Sequence, residues 1–430
     1  MMRNPKRIFV VADDLTGAAD AANYFRTRTR RVRVSLNADR PWTFSLQDNI
    51  VQVFDSESRG LDESAAVHRG ATAGLQLSEH LNNDFLIYKK IDSTLRGHIG
   101  SEIEALLQAV GRRVALVAPA FPANGRTVRN DTLLVDGTPL SQTVFSRDPC
   151  HQVVQDKVSS IVQHTTHLRV ITLDRDIAAK GSTAISDFIK TIDDQITIVV
   201  ADAANDADLA SLARAIAGQS SVLPCGSAGF AKQLAALWVD TAGDAQHFES
   251  QDHTCSCDHI VIAVGSAHPA AHAQLRHAAL EYNAKTLELK PSLLAKAPTR
   301  KDELLRAKDA LSTLATQPIV CMTLNEERAL RDPALPGRFE SDLASIIHDF
   351  IEQILANHPK NIGFVVTGGD TAAALCEALS TSAIWPEGEV AAGMPWSFLE
   401  TPFGKYVMIS KAGGFGQLDA IQQAITFLQN

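Results

Sequence analysis

The stretch RIFVVADDLTGAAD, from Arg7 to Asp20, changes its structural period in the middle. Ile8, Phe9, Val10 and Val11 form a β-branched and aromatic run, the composition of a strand buried on both faces. The run stops at two adjacent carboxylates, Asp13 and Asp14. A polar turn with Thr16 and Gly17 then leads into an alanine-rich segment of helical character. In an open α/β sheet, ligands bind outside the carboxyl ends of the strands, so these acids stand where a small molecule is handled. Paired Asp residues there suit hydroxyl binding, a Mg²⁺ ion or proton abstraction. The plainer alternative is that one Asp caps the helix and the other is solvated.

Strand-like runs alternate with helical segments along nearly the whole chain. Runs at 8–12, 32–36, 50–54, 85–89, 114–118, 170–173 and 196–201 are expected strands, with helices such as 63–81 and 101–110 between them. The alternation restarts at 259–264, 286–289, 319–323, 362–367 and 406–410. Such a pattern indicates mainly parallel sheets flanked by helices. Residues 124–148 are richer in polar and turn residues and read as an excursion or flap. A polar, aperiodic stretch at 241–258 is the linker, giving two α/β domains, 1–245 and 246–430.

The 430 residues, 45% hydrophobic and 21% charged, describe a globular chain rather than a disordered one. A net charge of −9 argues against nucleic-acid binding, which needs a basic face. The cluster Arg26, Arg28, Arg30, Arg31 and Arg33 reads as a solvated edge. No apolar run approaches the ~18 residues of a membrane helix, and the N-terminus breaks at acids too soon for a signal peptide. The six cysteines are scattered, with no paired zinc spacing, and read as reduced thiols of a cytoplasmic protein. A homo-oligomer is compatible with this composition.

The second domain ends three strands in glycine-containing turns: Gly265-Ser266, Gly368-Gly369-Asp370-Thr371 and Gly413-Gly414-Phe415-Gly416. Glycine lets backbone approach a ligand, and N–H groups at a helix start point at an anion. One such turn is commonly only a tight turn, but three in one domain make a cradle for a polyphosphate. The P-loop and dinucleotide fingerprints are absent. In the first domain, DSESR (Asp55–Arg59) and KKIDSTLRG (Lys89–Gly97) follow strands. Arg and Lys there recognise carboxylate, and Asp and Ser hold hydroxyls, which suits a small polyhydroxylated acid. His268 and His272 have the i, i+4 spacing of one helix face but lack a third ligand, so a polar surface or a phosphate contact is favoured over zinc.

Together these segments resemble the four-carbon acid sugar kinases. ADDLTGAAD at 12–20, DSESR at 55–59, KKIDSTLRGHIG at 89–100, VGSAHP at 264–269, VVTGGDTA at 365–372 and KAGGFG at 411–416 carry the resemblance, in family order and over nearly the whole chain. It implies a sugar-acid-binding first domain, an ATP-binding second domain and phosphate transfer across the cleft between them to the terminal hydroxyl. Ile91 and Arg96 resemble the D-threonate kinase branch, because 3-oxotetronate kinases tend to carry Thr-Phe before Asp-Ser-Thr. Carried over by position, Asp13, Asp14, Arg59 and Lys90 to Ser93 (with Ile91 and Asp92) would contact the acid. Ser266, Gly368 to Thr371 and Gly413 to Gly416 would contact ATP. Asp14 or Asp92 would take the hydroxyl proton, Arg59 and Lys90 would hold the carboxylate, and Asp370 would be the carboxylate nearest Mg²⁺. The rivals are a kinase for erythronate or 3-oxotetronate and a non-catalytic sensor of sugar acids.

Overall fold

The computed structural model describes residues 7–26, 31–36, 50–79, 85–143, 145, 155–237, 256–266, 268–325, 338–355, 361–391, 393–411 and 416–430. The chain divides into two compact units, Met1–His247 and Phe248–Asn430, and both are α/β.

The first unit contains strands β1 (Arg7–Ala12), β2 (Arg31–Ser35), β3 (Ile50–Asp55), β4 (Phe85–Lys90), β5 (Val114–Ala118), β6 (Arg126–Arg129), β7 (Thr132–Val135), β8 (Thr138–Pro139), β9 (Arg169–Thr172), β10 (Thr197–Val200) and β11 (Val222–Gly226). Its helices are α1 (Leu15–Phe25), α2 (Glu63–Ser78), α3 (Ile99–Ala109), α4 (Val158–His164), α5 (Arg175–Ala178), α6 (Ser182–Lys190), α7 (Asp206–Ile216) and α8 (Ala228–Ala236). The strand order is β2-β3-β1-β4-β11-β5-β10-β9, and every neighbouring pair is parallel. From β1 the chain moves first to β2 and β3 on one side and then to β4 on the other. The order therefore reverses between β1 and β4, which is where open sheets leave a crevice for ligands. In register, Ala12 lies beside Asp55 of β3 and Lys90 of β4, so three strands end in line.

Alternation along β4 decides the site. Tyr88 packs against Phe25 and Phe230, on the face covered by α1 and α8. Lys90 shares that parity, whereas Lys89 points to the opposite face and pairs with Glu102 of α3 at 2.6 Å. The polar excursion contains the antiparallel sheet β6-β7-β8. Two details depart from the sequence reading. β11, with Pro224 inside it, is a central strand between β4 and β5. Arg33 is no solvated edge residue: it is 7% exposed and donates to Ser35 Oγ at 2.7 Å, because β2 alternates it inward. Arg28 and Arg30 lie outside the described residues.

The second unit contains β12 (His259–Val264), β13 (Lys285–Leu289), β14 (Ile319–Leu324), β15 (Ile362–Thr367), β16 (Ala383–Ala391), β17 (Met394–Thr401) and β18 (Gly404–Lys411). Its helices are α9 (Pro269–Glu281), α10 (Pro291–Leu294), α11 (Ala297–Leu314), α12 (Arg338–Leu355), α13 (Gly369–Ala378) and α14 (Ala420–Gln429). The order β13-β14-β12-β15-β18 is parallel, and β17 and β16 add an antiparallel edge. Here the order reverses between β12 and β15. Ile260, Ile262, Val365, Trp396 and Ile409 pack with Leu275 and Leu428 in one buried core. Cys225, Cys257, Cys321 and Cys376 form no disulfide, and Cys150 and Cys255 lie outside the described residues.

Candidate active site

Asp14 is the N-cap of α1, its Oδ1 accepting from the Gly17 N–H at 3.0 Å. The capping alternative is thus part of the arrangement, yet both acids also face Arg59. Arg59 donates through Nε and Nη2 to Asp13 at 2.8 and 2.9 Å, and through Nη1 and Nη2 to Asp14 at 2.7 Å each. This doubly forked pair is the strong geometry for guanidinium and carboxylate. It commits Arg59 to the two acids rather than leaving its fork for a substrate carboxylate.

The shared cation does not act on the acids equally. Burial works upward on Asp13, but Arg59 and the lysines outweigh it and hold the carboxyl below the ordinary range. Burial also leads for Asp14, and there the adjacent Asp13 charge adds to it, so its pKa is raised despite Arg59. Asp14 is also the more open of the pair, with 26% side-chain exposure against 2% for Asp13.

Lys90 is 5% exposed. It makes no hydrogen bond or ion pair with another described residue. Its ammonium lies over the first turn of α1: a Cβ added at Gly17 would stand 2.6 Å from Lys90 Nζ and 2.5 Å from Asp14 Oδ1. Only glycine leaves room for both groups. The Lys90 charge acts on Asp13 and Asp14 without a direct bond to either, and a small anion would give this buried ammonium a direct partner.

The segment after β4 is held by its own acid. Burial raises the proton affinity of Asp92, but Arg96, bonded to it, and the nearby Arg59 reverse this and hold the carboxyl far below the usual range. Arg96 Nε and Nη2 donate to Asp92 at 2.9 and 3.1 Å, and the Thr94 hydroxyl donates to it as well. Arg59 Nη2 approaches Asp92 at 3.9 Å. Ile91 is fully buried, its N–H donating to the Gly226 carbonyl, and Ser93 is half-buried. Non-glycine residues in the left-handed region, Glu57 (φ 46) and Leu95 (φ 60), follow β3 and β4. Backbone strain of this kind costs about 1–3 kcal/mol per residue and collects at functional loops.

Asp55 escaped the sequence reading as a site residue. It is fully buried at the end of β3, with one oxygen bonded to the Glu57 N–H at 2.9 Å and Oδ2 unpartnered. Burial first, and then the charge of Glu57, raises its pKa well above the ordinary carboxylate value. Only its position after a strand could have flagged it.

In the second unit, the strand ends align in register as Val264, Thr367 and Lys411. Ser266 N–H donates to the Thr367 carbonyl at 3.3 Å, and Gly368 N–H to the Lys411 carbonyl at 3.0 Å. Gly368 has φ 109, a conformation L side chains rarely adopt, and caps α13 without a side-chain hydrogen bond. The first N–H groups of α13 are therefore left for an anion. Gly369 and Asp370 are exposed in that first turn, and Thr371 is buried. Gly413, Gly414 and Phe415 lie outside the described residues. Gly416 has φ 83, and its carbonyl accepts from Gln274 of α9 at 3.0 Å. His268 Nδ1 accepts from the Ala270 N–H and caps α9, while His272 Nε2 bonds the Ser266 carbonyl at 2.9 Å. Lys411, 4% exposed, is a cation at these strand ends whose pKa burial pushes down to about 8.

Residues 8–234 match the family model of a sugar-binding N-terminal domain, and residues 261–421 that of a nucleotide-binding C-terminal domain. A D-threonate kinase of Bordetella bronchiseptica is 30% identical over 97% of this chain and 96% of that one. A D-threonate kinase of Salmonella typhimurium is 27% identical over 98% of both. A 3-oxo-tetronate kinase of Brucella melitensis is 28% identical over 95% of this chain and 93% of that one. A solved structure from Salmonella typhimurium shares the fold, with a TM-score of 0.76 at 19% identity, covering 97% of this chain and 98% of that one. With both domain models matched in order and full-length relatives among these kinases, the chain belongs to the four-carbon acid sugar kinase family.

Proposed function

We propose that this protein transfers the terminal phosphate of ATP to the 4-hydroxyl of D-threonate, giving 4-phospho-D-threonate. The observation that carries the reading is Lys90, an almost buried ammonium with no hydrogen bond or ion pair to another described residue, placed beside the raised carboxyl of Asp14 at the reversal of strand order. One end of the acid sugar, its carboxylate, neutralises Lys90. Asp14 orients the terminal hydroxyl and accepts its proton. Arg59 fixes both acids of the pair and keeps Asp13 ionised. Asp92 holds Arg96 and Thr94 around the substrate end of β4, which is a positioning role.

The second unit holds the nucleotide by the α13 N-terminus, Ser266 and the turn that ends at Gly416. Phosphoryl transfer asks chiefly for positioning and charge stabilisation, which these groups supply. Asp370, an exposed carboxylate in the first turn of α13, offers the hard oxygen donor that Mg²⁺ uses together with phosphates and water. Bound there, Mg²⁺ would neutralise developing phosphate charge.

The relatives named D-threonate kinase support the substrate; the Brucella relative favours 3-oxotetronate as a second reading. Calorimetric titration tests the acid seat. Lys90→Ala should weaken D-threonate binding by at least about tenfold while leaving ADP binding intact, since removing one partner of a buried charge pair costs about 2–5 kcal/mol. Unchanged affinity for the acid would overturn the placement.

A further inference from the structure

The polar excursion that follows β5 has no part in the chemistry above, yet it carries an arginine on its inner face. In the hairpin of β6 and β7, Arg126 lies opposite Val135, and Val128 opposite Leu133. Residues opposite each other, and those two positions apart, share a face of a sheet. Val128, Leu133 and Val135 are all buried, so Arg126 belongs to the inward face. Its guanidinium carbon lies 5.6 Å from the centre of the Phe145 ring. The guanidinium carbon of Arg96, whose fork is bonded to Asp92, lies 5.9 Å from the same centre. Phe145 thus joins Arg126 to the segment after β4. The root of the excursion is tied to that strand as well. In register, Ala118 of β5 lies beside Gly226 of β11, and Gly226 beside Lys90. The Ser227 hydroxyl donates to the Ala120 carbonyl and the Tyr88 hydroxyl to the Ser227 carbonyl, each at 2.6 Å. With neighbouring strands about 4.8 Å apart, the excursion rises roughly 10 Å from the end of β4.

We propose that Arg126 is a substrate-binding residue, the second cation on the acid carboxylate that Lys90 receives; this rests on the kinase reading above. Arg126 Nη1 donates to the Asn124 carbonyl. Its Nε is buried without a hydrogen-bond partner, and the side chain makes no ion pair with another described residue. Arg59 turns the Nε and Nη2 edge of its guanidinium to Asp13, and Arg96 turns the same edge to Asp92. In Arg126 that edge is the unused one, and it is the edge that grips a carboxylate with two parallel hydrogen bonds. Arg59 and Arg96 are committed to acids of the protein, which leaves this fork to Arg126. A buried donor without an acceptor is costly, whereas stacking on Phe145 holds the guanidinium in place without using its hydrogens. A small acid seated on Lys90 supplies the missing acceptor. Lys90 then acts as a point charge, and Arg126 as the planar fork that fixes the orientation of the carboxylate.

Calorimetric titration of the full chain tests this. Arg126→Ala should raise the Kd for D-threonate about tenfold or more and leave the Kd for ADP at the parent value. Arg126→Lys keeps the charge without the fork and should recover only part of that loss. Added guanidinium ion should restore part of the D-threonate affinity of Arg126→Ala, which a merely structural role for the side chain would not produce. Parent affinity for D-threonate in Arg126→Ala overturns the proposal, and so does a loss that guanidinium ion leaves untouched. If Arg126→Ala does not fold, Arg126→Lys decides alone: weakened D-threonate binding with ADP binding unchanged supports the proposal, and parent affinity for both overturns it. In each of these cases a parent protein that binds D-threonate leaves the kinase reading standing. A parent protein that binds ADP but no four-carbon acid overturns the kinase reading, and the role of Arg126 falls with it.

Discussion

Asp13 and Asp14 are neighbours in sequence, yet one is pulled below the carboxylate range and the other pushed above it. The difference arises from their surroundings: at Asp13 the charges of Arg59, Lys89 and Lys90 together outweigh burial, whereas at Asp14 burial and the Asp13 charge outweigh Arg59. A general base is favoured by a raised pKa and an open carboxylate, and Asp14 has both. The acid limb of kcat/KM should therefore lie above the range of an ordinary Asp, with activity lost as falling pH protonates Asp14. Asp14→Asn should lower kcat by about 10²–10⁴-fold and abolish that limb, as a pH–rate profile would show. An acid limb that persists in Asp14→Asn would move the role elsewhere. None of this asymmetry was legible in the sequence. The pair itself was, from an apolar run ending in two acids, but Arg59 lies 45 positions from Asp14 and nothing local couples them.

At the scale of elements, period and register do most of the work. β1 was readable because its apolar run is uninterrupted and its break is sharp. β11 was not, because Pro224 and Gly226 in a run of five residues resemble a turn, and only pairing with β4 and β5 makes it central. The turn KKIDSTLRG was read as cations, an acid and hydroxyls gathered at one strand end. The sheet instead separates Lys89 from Lys90, one for a structural pair and one for the site. Glu102→Gln should therefore destabilise the fold by roughly 3–5 kcal/mol, as expected for half of a buried pair, with kcat per folded molecule retained. Urea unfolding beside active-site titration would separate the two effects. Gly17→Ala tests α1. Helix propensity alone predicts a gain of up to about 1 kcal/mol. The absence of space beside Asp14 and Lys90 predicts instead a loss of D-threonate affinity, measurable by calorimetry.

Across the whole molecule, both units place their chemistry at a reversal of strand order: acids and a lysine beside β1 and β4 in the first, glycine turns beside β12 and β15 in the second. The alternation of strands and helices showed this α/β class from sequence, and the acids and glycines that follow strands were legible as lying at the carboxyl edge of each sheet. The partners within each edge were hidden, because they come from residues brought together only by folding: Gln274 on the Gly416 turn, Arg96 on Asp92, Glu102 on Lys89. No described helix is long and apolar enough to cross a membrane. The central claim is a division of labour in which the first unit holds a four-carbon acid and the second holds its phosphate donor. The most direct measurement is ³¹P NMR of the purified protein with ATP, Mg²⁺ and, separately, D- and L-threonate, D- and L-erythronate and their 3-oxo forms. The account predicts a new phosphomonoester on the 4-position of D-threonate, formed faster than from any other acid. ATP left intact with every acid would contradict it.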